Sequence, residues 1–151
     1  IPDEHIFFCE NSAVNAILSY FSEQARTFGI TYTVSASIPK HISISETDLS
    51  ILFGNLLENA IDACNAQSGE DKKIIVRAKT DNHSLCVTID NTFSGSLDID
   101  QEGHFVSSKH EGLGLGTESI KSIAEKYGGV CQFEANNGMF YASVMCFKDH
   151  A

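Results

Sequence analysis

The sequence predicts an α+β domain in which a mixed, mainly antiparallel sheet is covered on one face by about three helices. Three segments place apolar residues at the 3.6-residue period of an amphipathic helix. The β-prone segments come mostly in pairs joined by short polar turns, as in β-hairpins. At 151 residues the chain is long enough for one hydrophobic core, so a single globular domain is expected.

The first two helices are predicted from their periodicity and from the residues at their ends. Residues 11–28 follow the helical period and stop at Gly29, a residue type that often ends helices. Ser45 or Thr47 caps the second helix, whose apolar stripe continues to about Ala66.

Five segments are predicted as strands. Residues 31–37 alternate polar and β-prone side chains and end at Ile38-Pro39. Residues 73–80 and 84–91 form a hairpin around Asp81-Asn82. Residues 130–135 and 139–147 form a second hairpin, with its turn within residues 136–138.

Residues 92–112 form a long polar segment without a sustained period, and we expect a loop or lid there. A third helix is predicted after the glycines that follow. Its apolar positions are Ile120, Ile123, Ala124 and Tyr127, and Gly128-Gly129 ends it.

The charge and the cysteines exclude several classes of protein. The chain carries 20 acidic and 10 basic residues, a formal charge of −10, which repels nucleic-acid backbones. It contains no apolar run of about 18 residues that would span a membrane. Its five cysteines form no C-x-x-C pair, so reduced thiols are expected rather than a zinc site or a disulfide framework.

Two asparagines on the second helix are the first candidate site. Asn55 and Asn59 are four residues apart and share one face of the helix, next to its apolar stripe. Amide oxygens are suitable ligands for Mg²⁺ that also holds phosphate oxygens. The alternative is that both side chains are solvated or bonded locally.

A glycine-rich run before the third helix is the second candidate. Alternating glycines allow close approach of a ligand, and a helix N-terminus offers free N–H groups to phosphate. Such runs are also common in flexible loops. The run comprises Gly112, Leu113, Gly114, Leu115, Gly116 and Thr117.

Further candidate side chains precede this run. Ser108 and Lys109 would place a hydroxyl and a positive charge near the phosphates, although a lysine on a surface loop is the simpler interpretation. At the end of the third predicted strand, alternation puts Asn91 on the apolar face and Asp90 on the other. A polar side chain there would hydrogen-bond an adenine edge, or would simply form a turn.

The order of these motifs resembles the ATPase fold shared by DNA gyrase, the ninety-kilodalton heat-shock chaperone, histidine kinases and the MutL repair protein. The motifs are an N-x-x-x-N-A helix, a strand ending in Asp90-Asn91, a long loop, G-L-G-L-G and a helix ending at residues 126–129. The resemblance covers residues 11–147. It implies a two-layer α/β sandwich of the Bergerat type with ATP between helices and lid.

Within that fold, the chain is most similar to the peptide- and quorum-sensing histidine kinases of Gram-positive bacteria. The matching residues are 15–18, Gly29-Ile30, Ile38-Pro39, Asp48-Leu49 and Ser108-Lys109.

The resemblance implies roles for these residues, with ATP and Mg²⁺ as cofactors. Asn59 falls at the Mg²⁺ ligand, and Asn55 stands where hydrolysing members carry a Glu that activates water. Because an amide is no general base, phosphoryl transfer to a protein side chain is expected instead. Lys109 joins the two asparagines as a catalytic residue, and Ala63 and residues 112–117 are implied as nucleotide contacts.

The adenine-binding box departs from the family pattern. The family's Asp-x-Gly-x-Gly begins here as Asp90-Asn91-Thr92-Phe93, without the first glycine. Either Asp90 or Asn91 takes the adenine-binding place, and strand parity and the subgroup's pattern favour Asn91.

A histidine kinase also needs a phosphoacceptor histidine on a helical hairpin, and none precedes Asn11. His5 and His110 are interpreted as surface residues. We therefore expect residues 11–151 to be the cytoplasmic catalytic domain of a membrane-anchored homodimeric sensor, with residues 1–10 left from a linker. Its expected partners are the phosphoacceptor domain and a response regulator, with no nucleic acid and no membrane contact by the domain itself.

Other functions remain open at this point. Relatives of anti-sigma factors use the same fold as serine kinases, and the incomplete adenine box fits a nucleotide-binding module without catalysis. A gyrase-like ATPase conflicts with Asn55 and with the net charge of −10.

Overall fold

Three helices and a five-stranded sheet make up most of the part of the chain that the computed structural model describes, residues 6–94, 98–99, 105–106 and 111–148. The helices are α1 (Ser12–Thr27), α2 (Glu46–Asn65) and α3 (Glu111–Lys126). The strands are β1 (Thr31–Ser37), β2 (Lys73–Thr80), β3 (Ser84–Thr92), β4 (Asp98–Ile99), β5 (Phe105–Val106), β6 (Val130–Asn136) and β7 (Met139–Phe147).

The large sheet has the strand order β1-β2-β3-β7-β6. β1 and β2 are parallel because α2 connects them and returns the chain to the same edge, whereas the other neighbouring pairs are antiparallel. The sheet is therefore mixed and mainly antiparallel, as the sequence predicted.

The hydrophobic core lies between the helices and one face of this sheet. Along β3 the inward side chains Leu85, Val87 and Ile89 are buried, and the residues between them are partly exposed. On α2 the core side is formed by buried residues such as Leu52 and Phe53. The apolar face of the sheet, with its two-residue repeat, thus packs against the apolar faces of the helices, with their 3.6-residue repeat. This packing confirms the predicted α+β class.

Side-chain caps fix where the first two helices begin. The Asn11 amide oxygen accepts a hydrogen bond from the Val14 N–H at 3.1 Å. The Ser45 hydroxyl accepts one from the Asp48 N–H at 3.1 Å, so Ser45 is the cap of α2 and Thr47 is not. Each cap satisfies an N–H group that the helix itself leaves without a partner.

The predicted turn between β6 and β7 is also present. Asn137 and Gly138 have φ values of 50° and 78°, the left-handed conformation that both central residues of a tight hairpin turn require. An asparagine followed by glycine adopts it at little cost, which is why this turn was visible in the sequence.

One prediction about the segment before the third helix was wrong. α3 begins at Glu111, so the glycine run lies inside its first turns and not in a loop before it. The predicted loop or lid after β3 contains a short second sheet, in which β4 and β5 pair antiparallel. Strands of two residues are too short to show a period in the sequence.

The N-terminal residues of the described chain lie against α1. The Asn15 amide oxygen accepts hydrogen bonds from the N–H groups of Phe8 and Cys9, at 2.7 and 3.2 Å. The Phe8 ring meets Tyr32 of β1 edge to face, with 6.3 Å between centroids. The division of the chain after residue 10 stays a prediction.

The five cysteines are all free, as predicted. Burial raises the pKa of the Cys146 thiol to about 11, and it also raises the pKa of Cys9, Cys64 and Cys131, so these thiols stay protonated at neutral pH. No helix among the described residues is both long and apolar enough to cross a membrane. Over the same ranges no cluster of His, Cys, Asp or Glu is suited to a metal ion.

Candidate nucleotide-binding site

One stripe of α2 carries three of the predicted site residues. Asn55, Asn59 and Ala63 follow one another at intervals of four residues and are all half-buried. Successive positions are about 6 Å apart along the axis, so the stripe is about 12 Å long. That length suits a ligand with a phosphate end and a base end.

Gly116 of α3 lies directly against the two asparagines. A β carbon at this position would be 3.2 Å from Asn59 Oδ1, 3.4 Å from Asn59 Nδ2 and 3.5 Å from Asn55 Oδ1. The missing side chain therefore lets α3 approach α2 closely enough for its backbone to pack against the two amide groups. This contact explains why a glycine is placed inside a helix, where it costs about 1 kcal/mol relative to alanine.

The other end of the stripe reaches the end of β3. The Cys64 thiol is 3.7 Å from the carbonyl oxygen of Thr92, which brings the last turn of α2 to this strand end. Asn91 is 2 % exposed, on the core face as predicted, and its amide nitrogen donates a hydrogen bond of 3.0 Å to the Thr92 carbonyl. Ala63 and Asn91 are thus at the same end of the site.

Asp90 lies on the opposite face of the sheet. Its carboxylate accepts a hydrogen bond from the Arg77 guanidinium of β2 at 3.1 Å. The alternation of side chains along β3 therefore separates the two candidates of the incomplete adenine box, and only Asn91 faces the helices.

Most of the remaining predicted site residues lie in the first turns of α3. Thr117 is 2 % exposed within α3. For Gly112, Leu113, Gly114 and Leu115, the helical backbone of α3 is described and their side chains are not. Ser108 and Lys109 lie outside the described residues.

A polar network between α2 and α3 was not predicted. Asp48 is 8 % exposed, and its carboxylate accepts hydrogen bonds from Lys126 Nζ at 2.8 Å and from the Tyr127 hydroxyl at 2.5 Å. The Tyr127 oxygen in turn accepts the Ser45 N–H at 3.2 Å. Two local signals could have pointed to this network. They are an acid in the first turn of α2 and a base in the last turn of α3, since each charge interacts favourably with the dipole of its own helix.

This network changes the ionisation of its members. The Lys126 ammonium, and after it the Tyr127 hydroxyl, lower the pKa of the Asp48 carboxyl, and burial opposes them without reversing the direction. The same pairing raises the pKa of Lys126. Because folding lowers the pKa of Asp48, the network adds stability above the unfolded-state value of about 3.9. That stability is lost as the pH falls through the folded-state value.

We expect the carboxyl carbon of Asp48 to titrate in an NMR experiment with its midpoint below about 3.9, the value of a free aspartate. Tyr127→Phe removes one of the two hydrogen bonds to the carboxylate, so the midpoint should rise in this variant. A wild-type midpoint at or above the free value would contradict the network.

Asn55 and Asn59 thus lie half-buried on α2, in direct contact with Gly116 of α3. The chain belongs to the GHKL domain family, which matches residues 44–146. It is therefore a nucleotide-binding domain.

Two curated relatives are sensor proteins. The chain is 24% identical to the probable C4-dicarboxylate sensor kinase of Bacillus subtilis (strain 168) over 138 residues, which are 85% of this chain and 25% of the relative. It is 36% identical over 84 residues to the C4-dicarboxylate transport sensor protein DctB of Rhizobium meliloti (strain 1021), which are 54% of this chain and 13% of the relative. The chain thus spans a quarter or less of the length of these relatives.

Among solved structures, the catalytic domain of the histidine kinase ThkA has the same fold. It superposes with a TM-score of 0.71 at 22% identity, over 91% of each chain. ThkA has also been solved in complex with the response regulator TrrA, with a TM-score of 0.67 at 21% identity over 91% of this chain and 40% of that one. These likenesses show the fold and confirm the predicted sandwich.

Proposed function

We propose that this chain is the catalytic domain of a two-component sensor histidine kinase. It binds ATP with Mg²⁺ and presents the γ-phosphoryl group to a histidine outside this chain, for relay to a response regulator. The observation that carries the proposal is the direct contact of Gly116 at the start of α3 with the two asparagines of α2, Asn55 and Asn59.

The phosphate end of ATP is proposed to lie beside this contact. Asn59, with Asn55 one turn earlier, offers amide oxygens of the kind that Mg²⁺ accepts, and a β carbon at Gly116 would press on the Asn59 amide. The bound metal ion would neutralise charge on the phosphates, which matters in a domain with a net charge of −10. The helix N-terminus around Gly112 and Gly114 would supply further N–H groups, and Ser108 and Lys109 are proposed to reach the phosphates.

The base end of ATP belongs between Ala63 and Asn91. The small side chain of Ala63 leaves room for a planar base, and the buried Asn91 has both a donor and an acceptor. The Asp90 carboxylate is held by Arg77 on the other face of the sheet. Asn91 is therefore the proposed adenine contact, in place of the family's aspartate.

The chemistry proposed is transfer and not hydrolysis. Neither amide removes a proton from water, because an amide has no basicity at neutral pH. The contribution of these residues is to hold the phosphates in line with an incoming histidine nitrogen and to keep the site closed to water.

The relatives support the rest of the proposal. Both curated relatives are named as sensors, and ThkA is solved with a response regulator. We propose that the phosphoacceptor domain belongs to the same or a partner subunit of a membrane-anchored homodimer. The similarity to Gram-positive peptide-sensing kinases stays a prediction.

Calorimetric titration with ATP and Mg²⁺ tests this assignment. We expect wild-type binding with a dissociation constant between about 1 µM and 1 mM. In Gly116→Ala the added methyl displaces the Asn59 amide, so the affinity should fall about tenfold, or about 1.4 kcal/mol.

The matched control is Gly54→Ala, which adds the same methyl to α2 at a position with nothing within 4 Å. Both substitutions raise helix propensity equally. The two variants therefore differ only in whether the added methyl presses on the asparagine amides. Wild-type protein that binds no nucleotide would refute the proposal. Equal affinities for the two variants would remove Gly116 from the site.

A further inference from the structure

We propose that Asp48, Lys126 and Tyr127 form a clamp that sets the position of α3 along α2 and thereby the position of Gly116 against Asn59, the proposed magnesium ligand. These three are positioning residues, because none of them touches the predicted site. The inference rests on the proposed function, since it assigns a role within the same nucleotide site.

The clamp joins the start of α2 to the end of α3. Lys126 Nζ and the Tyr127 hydroxyl both bind one oxygen of Asp48, at 2.8 and 2.5 Å. The Ser45 N–H donates to the Tyr127 oxygen at 3.2 Å, so the cap of α2 is part of the same network. The Asp48 carboxylate is 8 % exposed and accepts hydrogen bonds from two side chains, so it holds Lys126 and Tyr127 in closely defined positions.

The two helices are antiparallel, with the clamp at one end and the site at the other. Asp48 precedes Asn59 by about 11 residues on α2, and Gly116 precedes Tyr127 by about the same number, which is about 16 Å in each case at 1.5 Å per residue. The contact of Gly116 with Asn59 is therefore in register with the contact of Tyr127 with Asp48.

A helix is stiff along its axis, because its backbone hydrogen bonds run parallel to it. A shift of α3 at the clamp therefore moves Gly116 by a similar amount, and Gly116 is so close to Asn59 that a β carbon would be 3.2 Å from the Asn59 amide oxygen. Such a shift would change the position of that amide. The end of α3 keeps a second anchor without the clamp, since the Phe147 N–H donates to the Tyr127 carbonyl at 3.0 Å. Loss of the clamp should therefore shift α3 without unfolding the domain.

The proposed base end of the site does not include α3. Ala63 lies on α2 and Asn91 on β3, so a shift of α3 leaves them in place. The clamp should consequently affect binding of the phosphates and leave binding of the nucleoside unchanged. A general loss of structure would weaken both.

The test compares ATP with Mg²⁺ and adenosine on the same variants, by calorimetry for ATP and by NMR titration for the weaker nucleoside. Lys126→Met and Tyr127→Phe should each weaken ATP binding about three- to tenfold, the loss of one hydrogen bond to a charged group. Adenosine affinity should stay within twofold of the wild type. Lys126→Arg keeps the charge and should restore most of the ATP affinity.

The control is Arg77→Met, which breaks an ion pair of similar exposure on the far face of the sheet. The side-chain exposures are 59% and 15% for Arg77 and Asp90, compared with 62% and 11% for Lys126 and Asp48. This variant should bind ATP as the wild type does. The contrast separates the loss of an ion pair in general from the loss of the clamp.

Each outcome decides one question. Wild-type protein that binds neither ligand refutes the proposed function itself. Clamp variants that bind ATP normally, that lose ATP and adenosine equally, or that lose no more ATP affinity than Arg77→Met refute the clamp alone. Selective loss of ATP affinity that Lys126→Arg restores supports it.

Discussion

Replacing Asn59 by alanine should lower phosphoryl transfer at least about 100-fold, the order of loss seen when one preorganised electrostatic group is removed from an active site. Asn59 is half-buried on α2, and its amide contacts Gly116 beside the proposed position of the metal-bound phosphates. Without that amide the γ-phosphoryl group loses its fixed position in front of the acceptor histidine.

The fold should survive this change, because alanine is the most favourable residue in a helix. The rate is measured as radiolabelled phosphate incorporated by a kinase that contains its phosphoacceptor histidine. Asn65→Ala is the matched control, since it removes an exposed asparagine from the end of the same helix. A wild-type rate in Asn59→Ala would show that Asn59 is not the metal ligand.

Gly129→Ala should have the largest effect on stability, lowering the free energy of unfolding by about 4 kcal/mol or more. A β carbon at Gly129 would lie 1.7 Å from the Met145 carbonyl oxygen and 2.7 Å from its carbonyl carbon. Backbone atoms of β7 would have to move, and β7 pairs with strands on both sides, so the sheet cannot yield locally.

Urea unfolding measures this loss of stability. Gly138→Ala is the control, and it separates a steric clash from backbone strain. Gly138 has a φ of 78°, but its nearest atom would be 3.9 Å from the added carbon. That variant should lose only about 1–2 kcal/mol, the cost of the left-handed conformation for a residue with a β carbon. If Gly129→Ala is as stable as the control, the close approach of Gly129 to β7 is wrong.

Much of the fold could be predicted because its signals are local. The Ser45 cap, the turn at Asn137-Gly138 and the inward position of Asn91 all depend on residues a few positions apart. Each follows from the geometry of a single element. The start of α3 was misplaced because glycine has poor helix propensity, and that local preference was overridden by packing.

The candidate site could be predicted only as separate motifs. The sequence singled out the two asparagines of α2 and the glycines of α3 from their types and spacing. It gave no sign that Gly116, rather than the glycines before it, would lie against Asn59. It also gave no sign that Asp48, named only as part of the subgroup's pattern, pairs with Lys126 and Tyr127 about 80 positions away in the chain.

The sequence by itself determined which residues face the core, roughly where α1 and α2 lie along the chain, and that Asn91 and Asp90 point to opposite faces of β3. These properties are periodic within one element, so a short window of residues contains them. The tertiary structure alone decided that α3 runs antiparallel to α2, and that Gly116 and Tyr127 meet Asn59 and Asp48 at its two ends. The physical reason is that such contacts depend on how two helices pack on the same sheet, and on where a missing β carbon lets them approach.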